Sequence, residues 1–236
     1  MGLTVSVIMP AYNVASYIDE AIRSVLTQRG VSFELLLGDD GSTDETWEII
    51  SRYKRDRRVR AWRFRTRRGS AAAWNRLIAR AQGRYLSICD ADDALLPGNL
   101  RTLSRVLDRS PQVGVVCAEW KYMDTRGRPL RRRRRVPSAT DTWDLVRMGW
   151  THGGSMIRRR VIRNIRGYRE AMSYADAPDL FLRLAEVTRF ATLPGKAYYV
   201  YRVHPYPAGL RALRRRLVGI AIREAIRRRY RVRIPW

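Results

Sequence analysis

The chain has 236 residues, of which 45% are hydrophobic, so it is long enough to form one domain around a substantial core. Its 47 basic residues include only three lysines and outnumber the 22 acidic residues. The net charge of +25 creates a field that attracts nucleotides, anionic lipids or nucleic acid. No apolar run approaches the ~18 residues that a membrane span needs. The first residues predict a strand and not a signal peptide. Cys89 and Cys117 lie in apolar runs, which is typical of reduced thiols in a core. We therefore expect a cytoplasmic protein.

Strand-like and helical patterns alternate through the first half of the chain. Strands are predicted at 3–9, 33–37, 59–64, 84–89 and 113–122, with helices at 16–27, 44–53, 70–81 and 100–107. This alternation is typical of an α/β fold with a mostly parallel central sheet and helices on both faces. The second half is less regular, with predicted helices at 141–148 and 177–187 and an aromatic strand at 198–203. From 210 to 230 the pattern predicts a basic amphipathic helix whose apolar stripe consists of Leu210, Leu213, Leu217, Ile220 and Ala221.

The strand predicted at 84–89 is followed at once by three acidic residues, Asp90, Asp92 and Asp93. Carboxylates this close repel one another unless a cation or hydrogen bonds hold them. In a parallel sheet, ligands bind beyond the carboxyl ends of the strands, and acids placed there suit Mg²⁺ or Mn²⁺, which often share oxygen ligands with a phosphate. The alternative is an acidic turn that caps the next helix. We favour a metal site, because a cap needs one acid and not three.

Two further strand ends carry side chains suited to a nucleotide. Tyr12 follows the first predicted strand and Asp40 the second, so both should open on the same edge of the sheet as the acids. A tyrosine there stacks on a base, and a carboxylate accepts a hydrogen bond from the N–H of a uracil-like edge. Taken singly, each is an ordinary loop between a strand and a helix. Together they favour a nucleotide site.

Three segments carry a family resemblance: VSVIMPAYNVASYIDEAIRSVLTQ, FELLLGDDGSTDET and GRYLSICDADDALLPGNL. In this order and spacing they resemble the family 2 glycosyltransferases, which have a GT-A fold. The resemblance is clearest over residues 3 to about 120 and weaker to about 206. It implies a metal-dependent, inverting enzyme that moves a sugar from a nucleotide-diphosphate sugar, with a UDP-sugar as the favoured donor, to an acceptor hydroxyl.

The resemblance also implies roles for single residues of the first half. Pro10, Ala11 and Tyr12 would line the base, and Asp40 would accept a hydrogen bond from it. Asp90 and Asp92 would form the DxD motif, which contacts ribose and the diphosphate through a bound Mg²⁺ or Mn²⁺.

In the second half, two segments match the family with gaps. Residues 201–205 resemble a YRxH ending, in which His204 would be a metal ligand beside Asp92. A hydrogen-bonded surface histidine is the alternative. Residues 151–155 resemble a glycine-containing acceptor-side segment, in which Gly153 and Gly154 would let the donor sugar approach the backbone closely. A plain loop is the alternative here.

The expected catalytic base is where the chain departs from the family. Members carry a pattern such as EDxDLWLRL, and this chain reads DAPDLFLRL from Asp176 onward. Aligned without gaps, Ala177 takes the place of the expected Asp. Because Pro178 favours the first turn of a helix, a helix start shifted by one residue would present Asp176 as the base. The alternatives are that Asp176 only caps the helix, or that the chain binds its donor without efficient transfer.

We expect a glycosyltransferase domain over 1–206, with a nucleotide-sugar-binding half (1–120) and an acceptor-side half (121–206), followed by a basic helical tail (207–236). The acceptor is unknown. The arginines at 131–135 and the basic tail suggest two alternatives. The chain binds peripherally to the inner surface of an anionic membrane, or the tail packs on the domain with its arginines in water.

A nucleotidyltransferase would carry a glycine-rich, lysine-bearing loop after the first strand. The segment PAYNVASYIDE, which follows that strand here, has no lysine and no glycine. The charge makes a basic nucleic-acid-binding protein another alternative, but no helix-turn-helix, zinc-finger or RNP signature is present, so a nucleic acid partner is not expected.

Overall fold

The computed structural model describes residues 2–134, 153–172, 175–205 and 208–230. The helix predicted at 141–148 lies outside these residues. The strands are β1 (Val5–Ala11), β2 (Phe33–Asp39), β3 (Val59–Arg63), β4 (Tyr85–Ile88), β5 (Ala94–Leu95), β6 (Val113–Met123), β7 (Pro129–Arg134), β8 (Met156–Arg158) and β9 (Arg189–Arg202). The helices are α1 (Ile18–Leu26), α2 (Thr46–Arg52), α3 (Ser70–Arg80), α4 (Asn99–Arg109), α5 (Arg159–Asn164), α6 (Asp176–Val187) and α7 (Ala208–Tyr230).

The described strands form one sheet in the order β3-β2-β1-β4-β8-β6-β9-β5, with β7 added beside β6. The strands β3, β2, β1 and β4 are parallel, and β9 is parallel to β6. Because β8 is antiparallel to both β4 and β6, the strand β6 points the same way as β4. Every residue of β2 and β4 is buried, as in sheets that are covered on both faces. The predicted α/β fold with a mostly parallel central sheet is confirmed.

Four of these strands and α-helices were not predicted: β5, β7, β8 and α5. The strands β5 and β8 have only two and three residues, too few to show a periodic pattern. The strand β9 is also longer than the one predicted at 198–203. Pro194 and Gly195 lie inside β9, where a turn would be expected. The strand continues through them because its pairing with β6 shifts in register there: Ala118 pairs with Leu193, and Glu119 pairs with Ala197.

The helix α7 packs on the rest of the chain through part of the predicted stripe and through a residue beside it. Ala221 is buried and Leu217 packs against the core, as the stripe predicts, whereas Leu213 is 39% exposed and Ala225, outside the stripe, is buried. Small alanines let α7 lie close to α6, and an ion pair of 2.9 Å between Arg228 and Glu186 joins the two helices. The predicted stripe therefore agrees with the packing at Leu217 and Ala221, and differs from it at Leu213 and Ala225. None of the described helices has both the length and the apolar character that crossing a membrane requires.

The pairing of the central strands sets the position of the loops that follow them. Ala11 at the end of β1 pairs with Asp39 at the end of β2, and Ile8 pairs with Ile88 at the end of β4. The loops after these three parallel strands therefore leave the sheet side by side at one edge, as the sequence predicts.

Candidate functional site

The loops after β1, β2 and β4 surround a cavity of about 200 Å³. The first turns of α3 form the rest of its wall, with Ser70, Ala73 and Trp74 facing the space. Main-chain N–H groups and the positive end of the helix dipole favour anions at such a position. Six of the residues predicted from the sequence line this cavity: Pro10, Ala11, Tyr12, Asp40, Asp90 and Asp92.

Asp40 is buried and is bonded to the loop before α3. Its Oδ2 accepts hydrogen bonds from the main-chain N–H groups of Gly69 at 2.8 Å and Arg68 at 3.1 Å. Its Oδ1 has a longer bond to Arg68 at 3.2 Å and lies 3.9 Å from the Arg76 guanidinium. Because a carboxylate oxygen has two lone pairs, Oδ1 retains capacity for a donor that enters the cavity.

Side chains also tie the loop after β1 to the loop after β2. Asn13 Oδ1 accepts from the N–H of Thr43 at 2.9 Å, and the N–H of Ala15 donates to Asp44 at 3.0 Å. Burial alone would raise the pKa of Asp44, but hydrogen bonds from Thr46 and Ala15 outweigh it and lower that pKa. These bonds hold the two strand ends, and the predicted base-contacting residues on them, at a fixed separation.

Several residues that line the cavity were missed in the sequence, and Arg67 and Trp74 have the largest side chains among them. The guanidinium of Arg67 lies 4.0 Å from the centroid of the Tyr12 ring and covers part of that ring. Its neighbourhood is rich in arginine, so nothing in the sequence marked it. Trp74 is buried and stacks on Tyr168 with 5.7 Å between ring centroids. It lies within the helix predicted at 70–81, and no motif in that helix marks it as a site residue.

The acid loop after β4 divides its three carboxylates between two environments. Asp90 and Asp92 line the cavity, whereas Asp93 is buried and accepts hydrogen bonds from the Tyr199 hydroxyl and the Arg202 main-chain N–H, both at 2.7 Å. The main-chain N–H of Asp90 donates to the same hydroxyl at 3.2 Å. Burial raises the pKa of Asp93 well above its ordinary value, and the charges of Asp92 and Asp90 raise it further. Asp93 is therefore a structural member of the loop.

The end of β9 brings His204 to the acid loop, where its Nε2 lies 2.8 Å from Asp92 Oδ2. Neighbouring ligands of an octahedral Mg²⁺ at about 2.0–2.1 Å lie about 3 Å apart, so these two side chains already have the separation of a ligand pair. Among the described residues, no three His, Cys, Asp or Glu side chains are arranged to hold a metal by themselves. Mg²⁺ commonly takes one or two protein ligands and completes its shell with substrate phosphates and water. The donor set fits a metal ion that is shared with a diphosphate.

Gly153 and Gly154 lie behind the acid loop and pack against the ring of Tyr199. A Cβ on Gly153 would lie 2.7 Å from Tyr199 Cε1, and one on Gly154 would lie 2.6 Å from Tyr199 Cβ. Gly154 also has a φ of +73°, which other residues rarely adopt. The space that Tyr199 occupies is thus a physical reason for both glycines. The preceding Thr151 and His152 lie outside the described residues.

Asp176 is the first residue of α6, so the helix starts one residue before the predicted range 177–187. This is the shifted start that would present Asp176 as the base. The Ser70 hydroxyl, on the cavity wall, donates to Asp176 Oδ2 at 2.6 Å. Ala177 is buried, and Asp179 is buried in ion pairs with two arginines. Of the two acids at the start of this helix, Asp176 is therefore the one at the rim of the cavity.

Residues 6–166 match the family model described as Glycosyl transferase family 2. The chain belongs to this family. One relative is glycosyltransferase GlyG of Streptococcus pneumoniae serotype 4, which is 32% identical over 128 residues, or 54% of this chain and 42% of GlyG. The chain thus spans less than half the length of that relative.

Two solved structures share the fold of this family 2 chain. TarS 1-349 of S. aureus in complex with UDP matches 93% of this chain and 65% of its own chain, with a TM-score of 0.74 at 22% identity. The mannosyltransferase PcManGT from Pyrobaculum calidifontis in complex with GDP-Man and Mn²⁺ matches 96% of this chain and 65% of its own, with a TM-score of 0.74 at 23% identity. The GT-A fold expected from the sequence is confirmed.

The Tyr199 hydroxyl provides a test of how the acid loop is held. Because Tyr199→Phe leaves the buried Asp93 carboxyl without this partner, we expect it to lower the free energy of unfolding by about 1–3 kcal/mol. Tyr53→Phe is the matched control, since it removes a hydroxyl that donates to the partly exposed Asp19, and its effect should stay within about 0.5 kcal/mol. Chemical denaturation measures both, and equal losses would contradict the assigned role of Tyr199.

Proposed function

We propose that this family 2 chain is a metal-dependent, inverting glycosyltransferase that moves a sugar from a nucleoside-diphosphate sugar to an acceptor hydroxyl. The observation that carries the proposal is the cavity, which an aromatic ring, a buried carboxylate and two carboxylates of the acid loop line together. The ring suits a base, and the carboxylates suit ribose hydroxyls and a metal-bound diphosphate. The name of GlyG and the UDP and GDP-Man in the two related structures support a donor of this class.

At the base end, the proposal assigns stacking to Tyr12 and shape to Pro10 and Ala11, which line the same wall. Asp40 would accept a hydrogen bond from the base through Oδ1. Its Oδ2 already takes two main-chain N–H groups, so the carboxylate suits a base edge with one N–H better than an edge with two adjacent donors. Uracil has one such N–H, which favours a UDP-sugar over a GDP-sugar.

At the diphosphate end, Asp92 and His204 would hold Mg²⁺ or Mn²⁺, and Asp90 would bind the ribose. A bound metal ion supplies Lewis-acid stabilisation of the charge that grows on the leaving diphosphate. The start of α3 presents its positive end to the same space and would stabilise the same charge.

For the transfer step, the proposed base is Asp176. Its carboxylate takes the proton of the acceptor hydroxyl while that oxygen forms a bond to the anomeric carbon of the sugar. The bond from this carbon to the diphosphate breaks, and its electron pair leaves with the nucleoside diphosphate. Attack from the face opposite the leaving group inverts the anomeric configuration. The hydrogen bond from Ser70 at 2.6 Å would hold Asp176 in place for this step.

Ala177 favours one second candidate, a chain that binds the donor without efficient transfer. This residue occupies the position where the family pattern carries the acid, and its side chain is buried. In that case Asp176 would act only as the first residue of α6.

The domain division remains part of the proposal. All cavity-lining residues named above come from positions 10–92, within the proposed nucleotide-sugar-binding half (1–120), whereas Asp176 and His204 belong to the acceptor-side half (121–206). Gly153 and Gly154 would contribute to substrate binding by leaving room for the Tyr199 ring, whose hydroxyl is hydrogen-bonded to the acid loop.

A cytoplasmic location is proposed on the basis of the two free, buried cysteines, Cys89 and Cys117. Peripheral membrane contact is the less favoured alternative, since α7 uses Ala221 and Ala225 to pack on the chain itself. The acceptor stays unassigned.

Calorimetric titration with UDP, with and without Mn²⁺, tests the donor proposal. We expect Mn²⁺ to tighten UDP binding at least ~10-fold, and Asp92→Asn to lose most of this gain because an amide is a weaker metal ligand. Asp108→Asn is the control, since it neutralises a partly exposed carboxylate that pairs with Arg84 away from the cavity, and it should keep the gain. A folded chain that binds none of UDP, GDP and dTDP would contradict the proposed donor, and binding that ignores Mn²⁺ would contradict the metal alone.

The base assignment predicts slow turnover in Asp176→Asn. Hydrolysis of a donor that the chain binds should fall by about 10²–10⁴-fold because water, too, must lose a proton, while UDP affinity stays at the wild-type value. Glu186→Gln makes the same chemical change at the other end of α6, where the carboxylate pairs with Arg228, and should leave hydrolysis unchanged. Wild-type hydrolysis in Asp176→Asn would rule out this base. A wild-type chain that binds the donor but never turns it over would support the second candidate.

A further inference from the structure

We propose that Arg202 is a positioning residue for both proposed metal ligands, Asp92 and His204, and that Glu20 is its counter-ion. This inference rests on the proposed function and assigns a role to a side chain that does not line the donor cavity. Arg202 is the last residue of β9, two positions before His204, and its side chain is only 2% exposed.

Arg202 is hydrogen-bonded to the acid loop through both its side chain and its main chain. Its Nε donates to the carbonyl oxygen of Asp92 at 2.7 Å, and its own main-chain N–H donates to Asp93 Oδ1 at 2.7 Å. The backbone of Asp92 is therefore fixed from the side away from the cavity. The carboxylate of Asp92 remains available to the cavity and to His204.

Arg202 reaches the second proposed ligand through an aromatic ring. Its guanidinium carbon lies 4.7 Å from the centroid of the Tyr17 ring, and the same ring meets the His204 imidazole edge-on at 5.3 Å between centroids. The guanidinium and the imidazole thus share one ring as a neighbour, so a shift of Arg202 displaces a surface against which His204 rests.

The remaining donors anchor the guanidinium outside the cavity. Nη2 donates to Glu20 Oε2 on α1 at 2.6 Å, and Nη1 donates to the carbonyl oxygen of Asp124 after β6 at 3.2 Å. A guanidinium fixes these directions in one plane, and the single flexible ammonium of lysine does not reproduce them. A buried cation also needs a partner charge, which Glu20 supplies.

A role of Arg202 in positioning the metal ligands and a role in general stability predict different effects of its replacement. If Arg202 only stabilised the fold, its replacement would lower the melting temperature without changing the amount of metal that the folded chain needs. If it positions Asp92 and His204, the metal requirement of the folded chain must change. Replacement of outer residues that orient metal ligands typically lowers metal affinity by about 10–100-fold.

The experiment measures the Mn²⁺ concentration that half-saturates the chain at a fixed UDP concentration, by calorimetry or by loss of the free Mn²⁺ resonance signal. For Arg202→Lys we expect this concentration to rise by about 10–100-fold, with the affinity for UDP in the absence of metal unchanged. For Glu20→Gln we expect a smaller rise in the same direction. Because Glu20 is half exposed, this second variant keeps the test decisive if Arg202→Lys does not fold.

Arg58→Lys is the matched control. Arg58 also forms a guanidinium fork, to the Asp56 carboxylate and to the carbonyl oxygen of Leu26, but it does not contact the acid loop. Its metal requirement should equal that of the wild type. Wild-type Mn²⁺ dependence in folded Arg202→Lys or in Glu20→Gln, or an equal rise in Arg58→Lys, would overturn the positioning role alone. A wild-type chain that binds UDP but no Mn²⁺ would overturn the proposed metal site, and the positioning role with it.

Discussion

The parallel pairing of β1 with β2 on one side and with β4 on the other is the constraint on which the candidate site depends. Tyr12, Asp40 and Asp90 are far apart in sequence, and each follows the end of one of these strands. Side chains alternate between the two faces of a sheet, so a slip of one residue in either pairing would move every side chain of the slipped strand to the opposite face and displace the residue after it. The apolar strands that form the core therefore also determine the geometry of the cavity.

The second half of the chain completes the site from the opposite side. The strand β9 runs beside β6, and its last residues meet the acid loop three times, through the hydroxyl of Tyr199, the side chain and main chain of Arg202, and the imidazole of His204. Carboxylates crowded in a loop repel each other, and a protein keeps them together by hydrogen bonds and opposite charge. Burial of Asp93 under these contacts leaves Asp90 and Asp92 to face the cavity.

The strand ends of the first half could be predicted because each combines a short apolar run with a loop of polar residues, and both patterns are local. The same reasoning failed for contacts that depend on packing. The hydrogen bond between Ser70 and Asp176 joins residues 106 positions apart, and Arg67 covers Tyr12 only because two loops meet. The stripe predicted for helix α7 includes the exposed Leu213 and omits the buried Ala225, because alanines, which allow close packing, carry a weaker sequence signal than leucines.

A crystal structure of the chain with UDP and Mn²⁺ would show whether the loops after β1, β2 and β4 bind the donor. We expect density for the base beside Tyr12 and Asp40, and a metal ion that Asp92 and His204 bind together with the diphosphate. A nucleotide bound elsewhere on the surface, with these four side chains turned away from it, would rule out the proposed site.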